Sequence, residues 1–291
     1  MRIIGYSSGD EYDYGFLVKP DSFIPRYFVE DALRISLPRE VKALLPDKEL
    51  LELIDSITGK IPIESFPIDS VHLEPPIPNP GKIICLGLNY HDHAEEAGVD
   101  PPEGLPIFLK PATALTGPYD PIIKPKQVQQ LDYEIELAVV MGDRCKDISP
   151  SEAEDHIFGY MILNDVSARD IQFKDGQWTR GKILDTFAPV GPCIISKDEI
   201  GDPHNLRMLT RVNNEIRQSS NTSKMIRKIP EIISILSQGM TLEPGDIIST
   251  GTPSGVGIFQ KPGPKLLKPG DTIEMWIERI GVIRNPVISL D

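Results

Sequence analysis

Proline is spread through the whole chain and limits which elements the chain can form. The 291 residues include 28 prolines, which is well above average use, whereas the 23 glycines are an ordinary number. Proline breaks helix interiors and is excluded from central strand positions, so the regular segments between prolines must be short. The sequence therefore predicts an α+β, β-rich chain of short strands, many turns and a few short helices.

Apolar runs with alternating or helical spacing place these elements. The predicted strands are Arg2–Tyr6, Tyr14–Val18, Lys82–Leu88, Tyr133–Met141, Ile157–Asn164, Asp246–Thr250 and Thr272–Arg279. The predicted helices are two short ones within Val41–Ile57, then His91–Gly98 and Glu231–Gln238, while Ser7–Asp13 and Val99–Pro106 are a predicted turn and loop. A proline-rich linker, Pro75–Gly81, favours two parts: a small N-terminal domain of residues 1–72 and a larger domain of residues 73–291.

Charge and hydropathy narrow the classes of partner. The formal net charge of −13 argues against nucleic acid, which is bound through basic patches, and a small anionic substrate would need a local cationic site. No apolar run approaches the roughly 20 residues that span a bilayer, so we expect no membrane partner. The N-terminus lacks the apolar region of a signal peptide, so we expect a cytoplasmic protein. The three cysteines are odd in number and far apart in the sequence, so we predict that they are buried free thiols: Cys85, Cys145 and Cys193.

Carboxylates occur in two patterns that could bind a metal. Glu134 and Glu136 lie on one face of the predicted strand, and Asp165 follows the apolar run that ends at Leu163. Buried together, such carboxylates need a cation, a proton or a basic partner, and their oxygens suit Mg²⁺, Ca²⁺ or Mn²⁺. The strand pattern alone favours an acidic face in solvent, since glutamate is mostly exposed. Asp165 could equally be a helix N-cap.

Two further segments could take part in chemistry. His93 and Glu96 are three residues apart, so they can touch on a helical turn, and the glutamate would fix the tautomer of a general base. His91 and His93 could instead be metal ligands or belong to a solvated turn. The glycine- and hydroxyl-rich segment Ser249–Gly257 lacks P-loop spacing, and it could form a backbone-and-hydroxyl cradle for a carboxylate or a plain turn.

Taken in order, the motifs resemble the fumarylacetoacetate hydrolase family, and in particular its smaller members. The resemblance runs from about Pro80 to the C-terminus and rests on Asn-Tyr-x-Asp-His-Ala-x-Glu, Glu-x-Glu, Asn-Asp-Val-Ser-Ala-Arg-Asp, Gly-Lys-x-x-Asp-Thr-Phe and Thr-Gly-Thr-Pro-x-Gly-Val-Gly. It implies a mixed β-sheet roll, a homodimer, and a lid formed by Asp92–Leu109. The implied metal is Mg²⁺, with Mn²⁺ or Ca²⁺ as alternatives, and its implied ligands are Glu134, Glu136 and Asp165. The implied catalytic residues are His93, Glu96 and Lys182, and the implied substrate contacts are Arg169, Gln172 and Thr252.

The resemblance also implies an activity. We expect a metal-dependent hydrolase that cleaves a C–C bond in a 2,4-dioxo acid, such as an acylpyruvate or a fumarylpyruvate-like compound, through a stabilised enolate. Oxaloacetate decarboxylation or tautomerisation and ureidoglycolate or sugar-acid lyase activity are alternatives with the same motifs. A non-catalytic, metal-dependent oxo-acid binding protein and a β-rich interaction protein with surface carboxylates are alternatives of other classes.

Overall fold

Strands dominate the computed structural model, which describes residues 1–9, 11–58 and 64–290. The strands are β1 Arg2–Ser8, β2 Glu11–Lys19, β3 Ser22–Pro25, β4 Phe66–Pro67, β5 His72–Glu74, β6 Ile83–Leu86, β7 Ile107–Lys110, β8 Leu115–Thr116, β9 Ile122–Ile123, β10 Leu131–Asp132, β11 Ile135–Met141, β12 Ile157–Asn164, β13 Ser167–Ala168, β14 Ala188–Ser196, β15 Arg207–Val212, β16 Glu215–Asn221, β17 Ile247–Ser249, β18 Thr272–Ile277 and β19 Gly281–Ile288. The helices are α1 Arg26–Leu33, α2 Val41–Leu44, α3 Lys48–Thr58, α4 His91–Ala97, α5 Arg169–Asp175, α6 Lys197–Ile200 and α7 Ile229–Ser237. The strand-rich α+β class expected from the sequence is confirmed.

Each predicted strand and helix is present; β12 has the predicted ends, and the ends of the others are shifted. The predicted turn Ser7–Asp13 is largely taken up by longer strands, and its Asp10 lies outside the described residues. Helix α7 begins at Ile229, two residues earlier than expected, because Pro230 fits the first turn of a helix, where its missing N–H is not needed. Helix α4 ends at Ala97, where Gly98 adopts φ 69° in the left-handed region.

Several elements had no clear signal in the sequence. Strand β14 contains Pro189, Gly191 and Pro192, which are rare in strands, so the sequence pattern did not predict a strand there. Its nine residues are nevertheless almost entirely buried. Strand β16 is mostly polar and is held by pairing with β15. These strands form because neighbouring strands supply hydrogen bonds and burial that no local pattern records.

One large mixed sheet organises the molecule. Its main path runs β4-β3-β2-β1-β14-β12-β11-β17-β6-β7, with β5 on β1 and β8 on β14, and a five-stranded sheet has the order β16-β15-β18-β19-β9. The N-terminal strands join the central ones directly, since Arg2 of β1 pairs with Ile195 of β14. The division into domains at residue 72 therefore stays a prediction, and the N-terminal part shares a sheet with the rest.

The centre of this sheet brings the polar motifs together. Strands β11 and β12 are antiparallel, with Ile135 opposite Asn164, so the start of β11 lies beside the end of β12. Strand β17 pairs with β11 through Ser249 and Ala138, which places the glycine-rich segment at the same edge. The three cysteines are buried and free, as predicted. Within the described residues, no helix is both long enough and apolar enough to cross a bilayer.

Candidate active site

The three predicted metal ligands lie together in the interior. Glu134, Glu136 and Asp165 are 5%, 1% and 0% exposed, and one oxygen of each lies within 4.8 Å of the others. This burial rules out the acidic strand facing solvent, and with it the interaction protein with surface carboxylates. Asp165 is not a helix cap either, because α5 starts at Arg169 after the N-cap Ala168.

Glu134 is placed by an interruption between two strands. It lies after β10 and immediately before β11, so it is outside the regular strand that was predicted to begin at Tyr133. Its N–H donates to Asn164 Oδ1 at 3.1 Å, and its carbonyl accepts from Asp165 N at 2.9 Å. These bonds join the starting end of β11 to the residues that follow β12, and so bring Glu134 and Asp165 into one site.

Buried cations surround the carboxylates. Lys182 Nζ lies 2.7 Å from Glu134 Oε2 and 2.5 Å from Asp165 Oδ2. Arg169 bridges Glu134, at 2.6 Å, and Asp132, at 2.9 Å. The predicted basic residues Lys182 and Arg169 therefore contact the metal-ligand set directly.

Lys110 and Asp132 belong to the site although sequence reasoning did not select them. Lys110 Nζ lies 2.7 Å from Asp165 Oδ1 and donates to the carbonyl oxygens of Val166, Lys182 and Phe187. No pattern in the sequence marks it, since β7 buries Phe108 and Lys110 and exposes the apolar Ile107 and Leu109. With Asp132 included, four buried carboxylates face three buried cations, so the centre has an excess negative charge.

Burial and charge act differently on the two glutamates. Burial raises the pKa of Glu136, and the negative charges of Asp165 and Glu134 raise it further. Burial also opposes ionisation of Glu134, but Lys182 and Arg169 outweigh it and lower its pKa. The centre therefore binds either a proton on Glu136 or a cation beside it.

These contacts fit a divalent metal ion. Hard cations such as Mg²⁺ and Mn²⁺ are bound by carboxylate oxygens, and three carboxylates here supply them. On Glu136, Oε2 accepts from Ser249 Oγ at 2.6 Å and from Gly251 N at 2.8 Å, whereas Oε1 has no donor among the described residues. An oxygen without a donor, in a site with excess negative charge, is what a metal ligand requires.

The predicted histidine–glutamate pair is formed. His93 Nδ1 lies 2.8 Å from Glu96 Oε1 across one turn of α4, and His93 is 8% exposed. Glu96 Oε2 accepts from Gly255 N at 2.8 Å, which holds the carboxylate in place. His91, two residues earlier, is exposed at the start of the helix. The structure therefore places His93, and not His91, beside the carboxylates, while the lid role of Asp92–Leu109 stays a prediction.

The glycine-rich segment binds carboxylates that belong to the chain itself. Its backbone N–H groups at Gly251, Ser254, Gly255 and Gly257 donate to Glu136, Asp92, Glu96 and Asp132, respectively, and Ile258 N, directly after the segment, also donates to Asp132. Gly255 has φ 102°, and a Cβ there would lie 2.2 Å from Arg217 O. The segment is therefore a cradle, as one of the two interpretations held, and it fixes the residues around the site.

A cavity of about 220 Å³ is lined by most of the predicted site residues. The predicted site residues that line it are His93, Glu134, Glu136, Arg169, Gln172, Lys182 and Thr252. Gln172 accepts from Arg169 at 3.1 Å, and Thr252 accepts from Gln218 at 2.9 Å. The remaining wall is mainly apolar, with Phe108, Phe173, Trp178 and Phe259. The volume is below the about 300–1,000 Å³ of sites for drug-sized ligands, so it suits a small molecule.

Comparison with known proteins agrees with this arrangement. The family described as "Fumarylacetoacetate (FAA) hydrolase C-terminal" matches residues 82–288. The bovine protein named "Oxaloacetate tautomerase FAHD2A, mitochondrial" is 45% identical over 262 residues, which cover 89% of this chain and 82% of that protein. The human protein of the same name is 44% identical over 235 residues, covering 80% of this chain and 74% of the human one.

Solved structures are similar along their whole length. A fumarylacetoacetate hydrolase from Exiguobacterium antarcticum has a TM-score of 0.80 and 35% identity, with 100% of both chains covered. A maleylpyruvate hydrolase from Sphingobium sp. SYK-6, solved with manganese(II) and pyruvate, has a TM-score of 0.81 and 33% identity, also with 100% of both chains covered. The polar centre described above therefore lies in a fold that, in the second of these proteins, was solved with a divalent metal and a small 2-oxo acid.

Proposed function

Because the chain belongs to the fumarylacetoacetate hydrolase family, we propose that it is a metal-dependent enzyme that interconverts the keto and enol forms of a small 2-oxo acid, with oxaloacetate as the first candidate. The main support is the presence of His93, held by Glu96, in the same small cavity as Glu134 and Glu136. Tautomerisation needs a proton carrier beside a centre that stabilises an enolate, and it needs no water attack. The names of the bovine and human relatives favour the same choice.

The ion belongs on the three carboxylates. We propose Mg²⁺, with Mn²⁺ or Ca²⁺ as alternatives, on Glu134, Glu136 and Asp165, where it would supply electrophilic stabilisation of the enolate oxygen. His93 takes the proton from the carbon next to the keto group, and the protonated His93 then gives this proton to the enolate oxygen, which returns His93 to its neutral form. The reverse steps return the enol to the keto form. Glu96 accepts a hydrogen bond from Nδ1–H of His93, so that Nε2 is the nitrogen that carries the transferred proton.

The surrounding polar residues position the substrate. Lys182 offsets the charge of Glu134 and Asp165, and burial alone would lower its pKa, but these two carboxylates raise it and keep the ammonium charged. Arg169 is fixed by two carboxylates and donates to Gln172 at 3.1 Å. We propose that Arg169, Gln172 and Thr252 contact the substrate oxygens.

C–C bond hydrolysis is the second candidate. The expected substrate is an acylpyruvate or a fumarylpyruvate-like acid, in which His93 would take a proton from water and the hydroxide would attack the distal carbonyl. The apolar wall around Phe108 and Trp178 favours this candidate, because an acyl chain could pack there. The similar maleylpyruvate hydrolase favours it as well.

The deciding experiment is an activity screen of the purified protein in the presence of Mg²⁺ or Mn²⁺. The substrates tested are oxaloacetate, acylpyruvates, fumarylpyruvate, ureidoglycolate and 2,4-dioxo sugar acids. We expect accelerated loss of the oxaloacetate enol absorbance with oxaloacetate recovered intact. Pyruvate formation would indicate decarboxylation, and cleavage of the longer acids would indicate hydrolysis. Binding without any turnover on the panel would contradict an enzymatic function and support the oxo-acid binding protein.

His93→Ala separates the proton carrier from the metal centre. We expect turnover to fall by about 10²–10⁴-fold, the usual contribution of general acid–base catalysis, with the metal content unchanged. His91→Ala is the matched control, because His91 is exposed two residues away, and it should keep full activity. If His91→Ala were the damaging change, the assignment of the base would be wrong.

We also propose that the protein is a homodimer. Strand β7 ends the large sheet, and it exposes Ile107 and Leu109, at 45% and 49%, on the face away from the buried Phe108 and Lys110. An open strand edge with apolar side chains favours contact with a second copy. The cytoplasmic location stays a prediction from the sequence, and the bovine and human relatives are mitochondrial by name.

A further inference from the structure

A second cluster of metal-ligating side chains lies outside the catalytic cavity. We propose that His72, Glu74 and Asp120 form a binding site for a transition-metal ion, with Zn²⁺ as the first candidate. One ligand atom of each residue lies within 4.8 Å of the other two. None of the three lines the catalytic cavity, so this site would be separate from the three buried carboxylates.

Strand β5 presents two of the ligands on one side. His72 and Glu74 are two residues apart, and side chains at that spacing point to the same face of a strand. Both are fixed by pairing with β1, as His72 faces Ser7 and Glu74 faces Gly5. Ser7 Oγ also donates to Glu74 Oε1 at 2.9 Å, which orients the carboxylate.

A tight turn supplies the third ligand. Asp120 Oδ2 accepts from Gly117 N at 2.9 Å, while Asp120 Oδ1 lies 3.0 Å from His72 Nε2. Buried Asn285 donates to the carbonyl oxygens of Gly117, at 3.1 Å, and Asp120, at 2.8 Å. A Cβ on Gly117 would lie 2.4 Å from Leu73 O, so the turn packs directly against β5. The ligands are therefore held by two segments of fixed relative position.

The distances between the ligand atoms are close to those around a small tetrahedral ion. Ligand atoms about 2.0–2.2 Å from zinc are about 3.3–3.6 Å apart in a tetrahedron. His72 Nε2 is 3.0 Å from Asp120 Oδ1 and 3.9 Å from Glu74 Oε1, which are values on either side of that spacing. Imidazole and carboxylate groups are both ligand types that zinc takes, a fourth position would be left for water, and imidazole favours Zn²⁺ over Mg²⁺.

Zinc at this site would join two distant segments of the chain. Strand β5 belongs to the N-terminal part of the large sheet, whereas Asp120 precedes β9 in the five-stranded sheet. Binding to the folded state alone raises stability in proportion to the logarithm of ligand concentration. The expected effect of the ion is therefore a higher Tm, with no direct part in catalysis.

The test counts bound zinc. Protein in millimolar Mg²⁺ is incubated with Zn²⁺, passed through a desalting column and analysed for zinc by elemental analysis. We expect the wild type to retain one more zinc per chain than His72→Gln, whose amide can still bond to Asp120 but is a poor ligand. Glu74→Gln should weaken zinc binding at least tenfold. His91→Ala, which removes another exposed histidine, should bind as the wild type does.

The thermal response gives a second measurement. Zinc should raise the Tm of the wild type more than that of His72→Gln, and both should respond alike to Mg²⁺ alone. Because His72 is half exposed, the variant should fold, and equal Tm values without metal would verify this. Equal zinc content in wild type and His72→Gln would overturn the proposal, whatever happens at the catalytic centre.

Discussion

Glu136 is the side chain at which burial, hydrogen bonding and charge meet in this site. It is 1% exposed, and both donors to it, Ser249 and Gly251, bind the same oxygen. Burial, followed by the charges of Asp165 and Glu134, raises its pKa. A cation near the other oxygen would remove the need for a proton, so Glu136 should contribute strongly to metal affinity.

Replacing this residue tests the metal site. In Glu136→Ala we expect metal affinity to fall by more than about 100-fold, since even residues behind the ligands contribute 10–100-fold. Turnover should disappear with it. Calorimetric titration with Mn²⁺ measures the first effect, and Glu243→Ala, at a half-exposed glutamate outside the site, is the control. Full activity of Glu136→Ala in the presence of a chelator would contradict the metal-dependent mechanism.

Lys110 stabilises the same site from its far side. Its side chain is fully buried, and its ammonium contacts Asp165 and three carbonyl oxygens. Removal of one partner of a buried pair leaves the other charge without compensation, and this typically costs about 3–5 kcal/mol. Lys110 thus offsets the charge of Asp165, as the proposed metal ion would also do.

We therefore expect Lys110→Met to lower the free energy of unfolding by about 3–5 kcal/mol. Metal should restore part of the loss, so that added Mg²⁺ stabilises the variant more than the wild type. Urea unfolding with and without Mg²⁺ measures both effects. Lys48→Met removes an exposed ion pair with Asp143 and should change stability by less than about 1 kcal/mol. A similarly small change in Lys110→Met would contradict this account.

Among the elements, the segment from Ser249 to Gly257 does most to assemble the site. It follows β17, and its N–H groups reach carboxylates on α4, on β10 and on β11. Gly255 makes this possible, because φ 102° and the close approach of Arg217 O leave no room for a side chain. Helix α4, which carries His93, and strand β11, which carries Glu136, are therefore positioned by the same few backbone groups.

Gly255→Ala should disturb this segment. The added Cβ would collide with backbone, and a residue held in such a conformation costs about 1–3 kcal/mol. We expect a lower Tm and a turnover reduced at least tenfold, since Gly255 N would no longer hold Glu96. Gly263→Ala adds a Cβ into open space and should behave as the wild type does in assays of melting and turnover. The same melting and turnover in both variants would show that the contact with Glu96 is dispensable.

At the scale of the whole molecule, a single sheet joins the N-terminal strands to the catalytic strands. Strand β1 lies between β2 and β14, and β14 in turn pairs with β12, which precedes Asp165. Residues from both parts of the chain pack in one apolar cluster, including Ile3, Tyr14, Ile194 and Met161. Changes in the N-terminal strands should therefore reach the active site through the shared sheet.

The other end of this sheet is the proposed dimer contact. Leu109→Glu places a charge on the apolar edge of β7, and desolvating it in an interface would be costly. We expect light scattering to give twice the mass of one chain for the wild type and the mass of a single chain for this variant. Leu53→Glu, at an exposed position on α3, should leave the mass unchanged. A wild-type protein with the mass of one chain would contradict the homodimer.

The local sequence alone determined the main secondary-structure elements and the family of this protein. Alternating and helical spacing predicted the main strands and helices, because those periods reflect side-chain direction within one element. The ordered motifs predicted the family, and seven of the nine site residues expected from them line one cavity. The pair His93–Glu96 was predictable because its contact spans a single helical turn.

Only the tertiary structure decided the rest. Whether Glu134 and Glu136 face solvent or the interior depends on what covers β11, and the strand pattern alone favoured solvent. The role of Lys110 follows from strand pairing that brings it to Asp165, 55 positions away in the printed sequence. The same holds for the edge at β7 and for the cluster of His72, Glu74 and Asp120. Such contacts join residues distant in the chain, and no local periodicity carries information about them.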